Sequence, residues 1–212
     1  MFVDKFIKND EVTSGRERSL MYDVGKDVLS REIREARERG GKVIMEIGPG
    51  RTGGVALKKD DLYIGVEPYF EGEMSFSTNK AELGARVAVV SDVWQLPEFK
   101  PDLFLSIAPN PIDVEEKNML WDYEGYIRDA GVVVFALDMR TREATSGSGV
   151  RGFERKVRND LLEMGRRRVD REVMSGSISG LLEDLGVDRG CNLNSSGDLG
   201  GRAIVLSSEK RS

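Results

Sequence analysis

Two carboxylates and a glycine-rich turn are the residues best placed by type and spacing to do chemistry. Glu46 lies near the end of the apolar run Val43–Ile47, and Gly48, Pro49, Gly50, Gly53 and Gly54 follow. Glycines permit positive φ and let a ligand approach bare backbone that side chains would block. Glu67 closes a second apolar run, Leu62–Val66, about 20 residues after the tip of the first, a separation at which a carboxylate accepts from ribose hydroxyls. Strand, glycine turn and distal acid together describe a nucleoside-type site outside the carboxyl ends of strands in an α/β sheet.

The elements that must carry these groups follow from the hydrophobic pattern. Short apolar runs predict five buried strands, over 43–47, 62–66, 86–90, 102–107 and 131–137, the last the most apolar and so expected to be central. A sixth strand is expected over 203–206. Leu20, Val24, Val28, Leu29 and Ile33 recur at helical spacing, which predicts a helix over 16–39 closed by Gly40 and Gly41. Further helices are expected over 55–59, 79–83, 114–129 (with Gly125 as its weak point), 153–164 and 177–185. Strand–helix alternation up to residue 137 implies an α/β fold, a doubly wound, mostly parallel sheet with helices on both faces, the last strand running antiparallel. One domain is expected over 1–212: an N-terminal helical segment at 1–41, a ligand-binding core at 42–137 and a substrate-side segment at 138–212.

Composition narrows the chemistry. The chain has 212 residues, 39% hydrophobic and 33% charged, with a formal net charge of −5, one cysteine and no histidine. The commonest general base and metal ligand is therefore missing, and a Cys/His zinc site is excluded, so no metal is expected. Cys191 alone cannot form an internal disulfide, no apolar run approaches the ~20 residues of a membrane span, and the first residues lack a signal peptide's apolar core. A cytoplasmic protein with no membrane partner is the expectation. The acidic balance argues against a surface that coats nucleic acid generally, while leaving room for a local basic patch.

With its strand ends placed in order, the chain resembles the class I S-adenosylmethionine-dependent methyltransferases over residues 43–137, and a Rossmann-like methyltransferase fold is what that resemblance implies. Glu46-Ile-Gly-Pro-Gly50 resembles the family's first motif, with the final glycine at Gly53, one position later than usual. Glu67 matches the acid that holds the ribose diol. Ser91-Asp92-Val93-Trp-Gln-Leu-Pro97 resembles the segment whose aspartate contacts the adenine amino group and whose next residue flanks the ring. The implied cofactor is S-adenosyl-L-methionine, and the implied cofactor-binding residues are Glu46, Gly48, Pro49, Gly50, Gly53, Glu67, Pro68, Asp92, Val93 and Ala108. A dinucleotide dehydrogenase shares strand, glycine turn and acid, but leaves Asp92 unaccounted for.

The same resemblance places the methyl acceptor past the fourth strand, at Ala108-Pro-Asn-Pro-Ile-Asp113. Asn110 and Asp113 are the catalytic candidates, Asp113 or Asp138 serving as base if the acceptor must lose a proton. The stretch is loosely similar to the Asn/Asp-Pro-Pro-aromatic motif of amino-methyltransferases, with Ile112 where the aromatic stands. It is also similar to transfer-RNA guanine-N7 methyltransferases, whose Pro-Asp-Pro-Trp is here Pro-Asn-Pro-Ile and whose following basic run is here acidic. A small-molecule acceptor is the expectation. The alternatives are an RNA acceptor, met by a basic face of Arg151, Arg155, Lys156, Arg158 and Arg166–Arg168, and a non-catalytic cofactor-binding module. Glu154, Asp160, Glu163 and Asp170 interleave those cations, as on a solvated ion-paired face. Trp94 and Trp121 are expected in the core or flanking the cofactor.

Overall fold

The computed structural model describes residues 19–49, 57–68, 85–107, 119–138, 149–174 and 202–210. The strands are β1 (Ser19–Tyr22), β2 (Val43–Ile47), β3 (Leu62–Val66), β4 (Arg86–Val90), β5 (Leu103–Ile107), β6 (Val132–Asp138), β7 (Arg166–Met174) and β8 (Arg202–Lys210). The helices among the described residues are α1 (Lys26–Glu38), α2 (Met119–Asp122), α3 (Glu124–Asp129) and α4 (Gly149–Glu163), with a 3-10 turn at Val93–Gln95. The strands form one sheet in the order β1-β4-β3-β2-β5-β6-β8-β7. β1 to β6 pair in parallel, and β8 runs antiparallel to both β6 and β7.

β2, β3 and β4 are buried at every position, so both faces of the sheet centre are covered, as a continuous apolar run implies. On one face, Met45, Ile64, Ala88, Phe104 and Val133 form a core with Leu29, Ile33 and Ala36 of α1, Ile127 of α3 and Val157 and Leu161 of α4. Each large aliphatic side chain so buried contributes about 1.5–3 kcal/mol. Arg86, on β4, donates to Glu32 and, at 3.1 Å, to Glu35, which ties α1 across the same face. Two aspartates align the strand starts. Asp61 accepts from Lys42 N and Lys58 N, both at 2.8 Å, and Asp102 Oδ2 accepts from Val43 N at 2.8 Å.

Four expectations are corrected. The helix predicted over 16–39 begins only at Lys26; residues 19–22 are instead an edge strand on β4. Leu20 joins the helical spacing by coincidence, and Asp23, at φ 42, breaks the chain between the two elements. Residues 57–60 form a bridge and a turn rather than a helix, closed by Asp61 N donating to Lys58 O at 3.1 Å. The helix over 114–129 is interrupted at Tyr123, while Gly125 sits inside α3. The basic run Arg166–Arg168 opens strand β7, which pairs with β8. The helices expected over 79–83 and 177–185 lie outside the described residues. Among the described residues, no helix is long and apolar enough to cross a membrane.

Arg166 is fully buried, and its guanidinium donates to the carbonyls of Ala130 at 2.7 Å and Gly131 at 3.1 Å. Burial lowers its pKa from the usual arginine value. These carbonyls precede β6, so the basic run starts at the end of the sheet opposite the carboxyl tips of the parallel strands.

Candidate nucleoside site

The carboxyl tips of four adjacent strands are stitched together by backbone hydrogen bonds. Gly48 N donates to Val66 O at 2.8 Å, Glu67 N to Val90 O at 2.9 Å, and Asp23 N to Val89 O at 2.9 Å. The turn after β2, the acid after β3 and the segment after β4 therefore lie side by side. Glu46, Gly48, Pro49, Glu67, Pro68, Asp92 and Val93 all fall in this row. Gly48 adopts φ +62, a left-handed conformation that glycine takes without the steric cost other residues meet.

Glu46 is almost fully buried and accepts a 2.5 Å hydrogen bond from the hydroxyl of Tyr63 on β3. Glu46 lies opposite Gly65 in the parallel register, with Tyr63 two residues earlier on the same face. A Cβ on Gly65 would sit 3.0 Å from Pro49 Cγ and 3.3 Å from the Tyr63 ring. The missing side chain is thus what lets the tyrosine reach the acid and the proline close over both. Tyr63→Phe keeps the ring and removes this donor to a carboxylate, a bond of about 1.5–3 kcal/mol. A loss of about 2 kcal/mol would lower the melting temperature by about 4–8 °C in a chain this size. Thermal unfolding checks it, and an unchanged transition would show that the bond adds no stability.

Asp92 caps the 3-10 turn: its Oδ1 accepts from Trp94 N at 3.0 Å, and Gln95 Oε1 accepts from Asp92 N at 2.9 Å. This reciprocal capping box fixes the backbone from 92 to 95. The turn is anchored to the end of β1, where Asp23 Oδ1 accepts from Ser91 N at 3.0 Å and from Gln95 Nε2 at 3.2 Å. Asp92 is itself exposed, so its carboxylate faces solvent from a rigid mount.

Glu67 is half-buried, and its charge reaches Tyr123, between α2 and α3. Burial first, then Asp122, Asp92 and Glu67, push the Tyr123 phenol well above its ordinary pKa. Burial and then Glu98 raise Tyr126 likewise.

Gly50, Gly53, Ala108, Asn110 and Asp113 lie outside the described residues, and of Asp138 only the backbone, at the end of β6, is described. Of the two places expected for Trp94 and Trp121, the core is corrected: Trp94 is 75% and Trp121 38% exposed. The tight turn that holds Asp92 leaves the Trp94 ring outside the core. Sequence reasoning missed Asp23, Tyr63, Gln95 and Tyr123. For Gln95 a signal was present, since Asp92-x-x-Gln95 is a capping-box pattern.

No protein-family model matches the chain, and no curated protein matches it. Among solved structures, the 16S rRNA (adenine(1408)-N(1))-methyltransferase from Catenulisporales acidiphilia is 11% identical, with 98% of this chain and 99% of that one covered and a TM-score of 0.52. Magnesium protoporphyrin IX methyltransferase from Synechocystis PCC 6803, with bound SAM, is 10% identical over 88% of this chain and 79% of that one, at a TM-score of 0.44. The N-methyltransferase NodS from Bradyrhizobium japonicum WM9 is 15% identical over 88% and 96%, at 0.43. The likeness is one of fold: the chain has the Rossmann-like α/β architecture of the class I methyltransferases.

Proposed function

We propose that this chain, built on a class I methyltransferase fold, is a cytoplasmic S-adenosylmethionine-dependent methyltransferase acting on a small molecule. The observation that carries the reading is the row of acids at adjacent strand tips, with Glu67 half-buried and Asp92 exposed on a capped turn. Carboxylates only accept hydrogen bonds. They suit a ligand that presents a ribose diol, an adenine amino group and an ammonium, whereas the pyrophosphate of a dinucleotide would meet like charge.

In this reading Gly48 and Pro49, with Gly50 and Gly53, face the methionine portion. Glu67 with Pro68 holds the ribose, Asp92 with Val93 the adenine, and Ala108 adjoins them. Glu46, buried under Tyr63, orders the turn from beneath. When bound, the cofactor supplies an activated methyl for in-line transfer, so the chain's task is alignment of donor and acceptor.

A small acceptor is supported by the place of the basic run. Arg166 is buried at the opposite end of the sheet from these tips, so that run does not border the cofactor mouth. The experiment is incubation with methyl-labelled S-adenosylmethionine and a cell extract separated into low-mass metabolites and RNA. Label should enter the low-mass fraction; label in RNA alone would overturn the small-molecule assignment.

Asn110 and Asp113 are proposed on the acceptor side. Asn110→Ala should leave cofactor affinity near wild type and lower turnover by about 10- to 100-fold, because misplacing a reactant is costly even where binding survives. Turnover and melting temperature are measured on one sample. Normal melting with wild-type turnover would remove Asn110 from the active site.

A further inference from the structure

Glu67 and Asp92 can take hydrogen bonds but cannot give them, whereas adenosine carries acceptors of its own in the ring nitrogens and the ribose ring oxygen. We propose that Tyr123 is a further cofactor-binding residue, its phenolic hydroxyl donating to the adenosine portion of S-adenosylmethionine beside Glu67 and Asp92. The inference rests on the cofactor reading given above.

Tyr123 sits where α2 gives way to α3 and is only 5% exposed. Its ring meets Phe104 of β5 edge-on, with centroids 6.2 Å apart and planes at 65°. Three residues on, Tyr126 donates to Pro97 O at 2.9 Å and packs on Phe99 at 5.2 Å between centroids. Positions three apart share a helix face. That face is therefore held between the first half of β5 and the segment just after the Asp92 turn. The Tyr126 hydroxyl is thus occupied by protein. Among the described residues, no hydrogen bond joins the Tyr123 hydroxyl to a protein acceptor. The ring is buried, but the hydroxyl oxygen is not sealed from solvent, so a bound ligand can reach it and accept its proton.

The surrounding charge fits a donor. Asp122, Asp92 and Glu67 all act on the phenol, and with burial they keep it protonated well beyond neutral pH. A neutral O–H among acids complements an adenosine whose own donors are directed to those acids.

The test is calorimetric titration of S-adenosylhomocysteine into the wild-type chain, Tyr123→Phe and Tyr126→Phe at 25 °C, with melting temperatures on the same samples. Tyr123→Phe keeps the ring on Phe104 and removes a hydroxyl that the fold does not use. It should melt at or above the wild-type temperature and bind the ligand about 3- to 10-fold more weakly, the range of one net hydrogen bond. Tyr126→Phe, which loses a bond within the protein, should instead melt lower and bind like wild type. Equal affinity of wild type and Tyr123→Phe would overturn the inference while leaving the cofactor reading in place. A wild-type chain that binds no S-adenosylhomocysteine would overturn both.

Discussion

Glu67→Ala is expected to weaken S-adenosylmethionine binding by roughly 10- to 150-fold, with a much smaller effect on the rate at saturation. Glu67 follows β3 directly, and its own N–H donates to Val90 O at 2.9 Å, a backbone bond that alanine retains. The substitution therefore removes the carboxylate and leaves the strand tip in place. Hydrogen bonds to a charged acceptor contribute about 1.5–3 kcal/mol, which sets the fold-change. The ribose is remote from the transferred methyl, so its hold is the same in the ground and transition states, and such uniform binding moves KM rather than kcat. Calorimetry and saturation kinetics on the variant separate the two. A normal dissociation constant would take the ribose away from Glu67.

Gly41→Ala is expected to be the most damaging small substitution in the sheet. A Cβ at Gly41 would lie 2.0 Å from Asp60 O and 2.4 Å from Asp60 C, both backbone atoms that cannot swing aside. Asp60 is already in the left-handed region at φ 71, and the next residue, Asp61, is the buried acceptor for Lys42 N and Lys58 N. Displacing this turn pulls on the start of the β2–β3 ladder, where Val43 faces Leu62. Overpacking of this kind costs typically 1–3 kcal/mol and occasionally more. About 3 kcal/mol lowers the melting temperature by about 6–12 °C in a chain of this length. A thermal scan of Gly41→Ala beside wild type checks this, and a shift under 2 °C would mean the turn relaxes freely.

The sheet was legible where burial on both faces leaves no choice of residue. Val43–Ile47, Leu62–Val66 and Arg86–Val90 appear as strands with the bounds that their apolar runs predict. The edges were not legible. β1 borrows its pairing from β4, and that tertiary offer outweighs the helical spacing of Leu20. β7 opens on three arginines, a run that reads as surface, because nothing local announces that carbonyls before β6 await Arg166. Of the candidate site, Glu46, Glu67 and Asp92 were visible as acids near strand ends. Their supports were not, since Tyr63 reaches Glu46 across 17 residues and Asp23 reaches Ser91 across 68. Such contacts are products of register, which periodicity within a single strand does not contain.

The central claim is that the acids at the strand tips receive an adenosine-bearing sulfonium rather than a dinucleotide. Calorimetric titration of the wild-type chain with S-adenosylmethionine, and separately with NAD, tests it most directly. Saturable binding of S-adenosylmethionine with no heat from NAD is the predicted result; tighter binding of NAD, or none of S-adenosylmethionine, would contradict it.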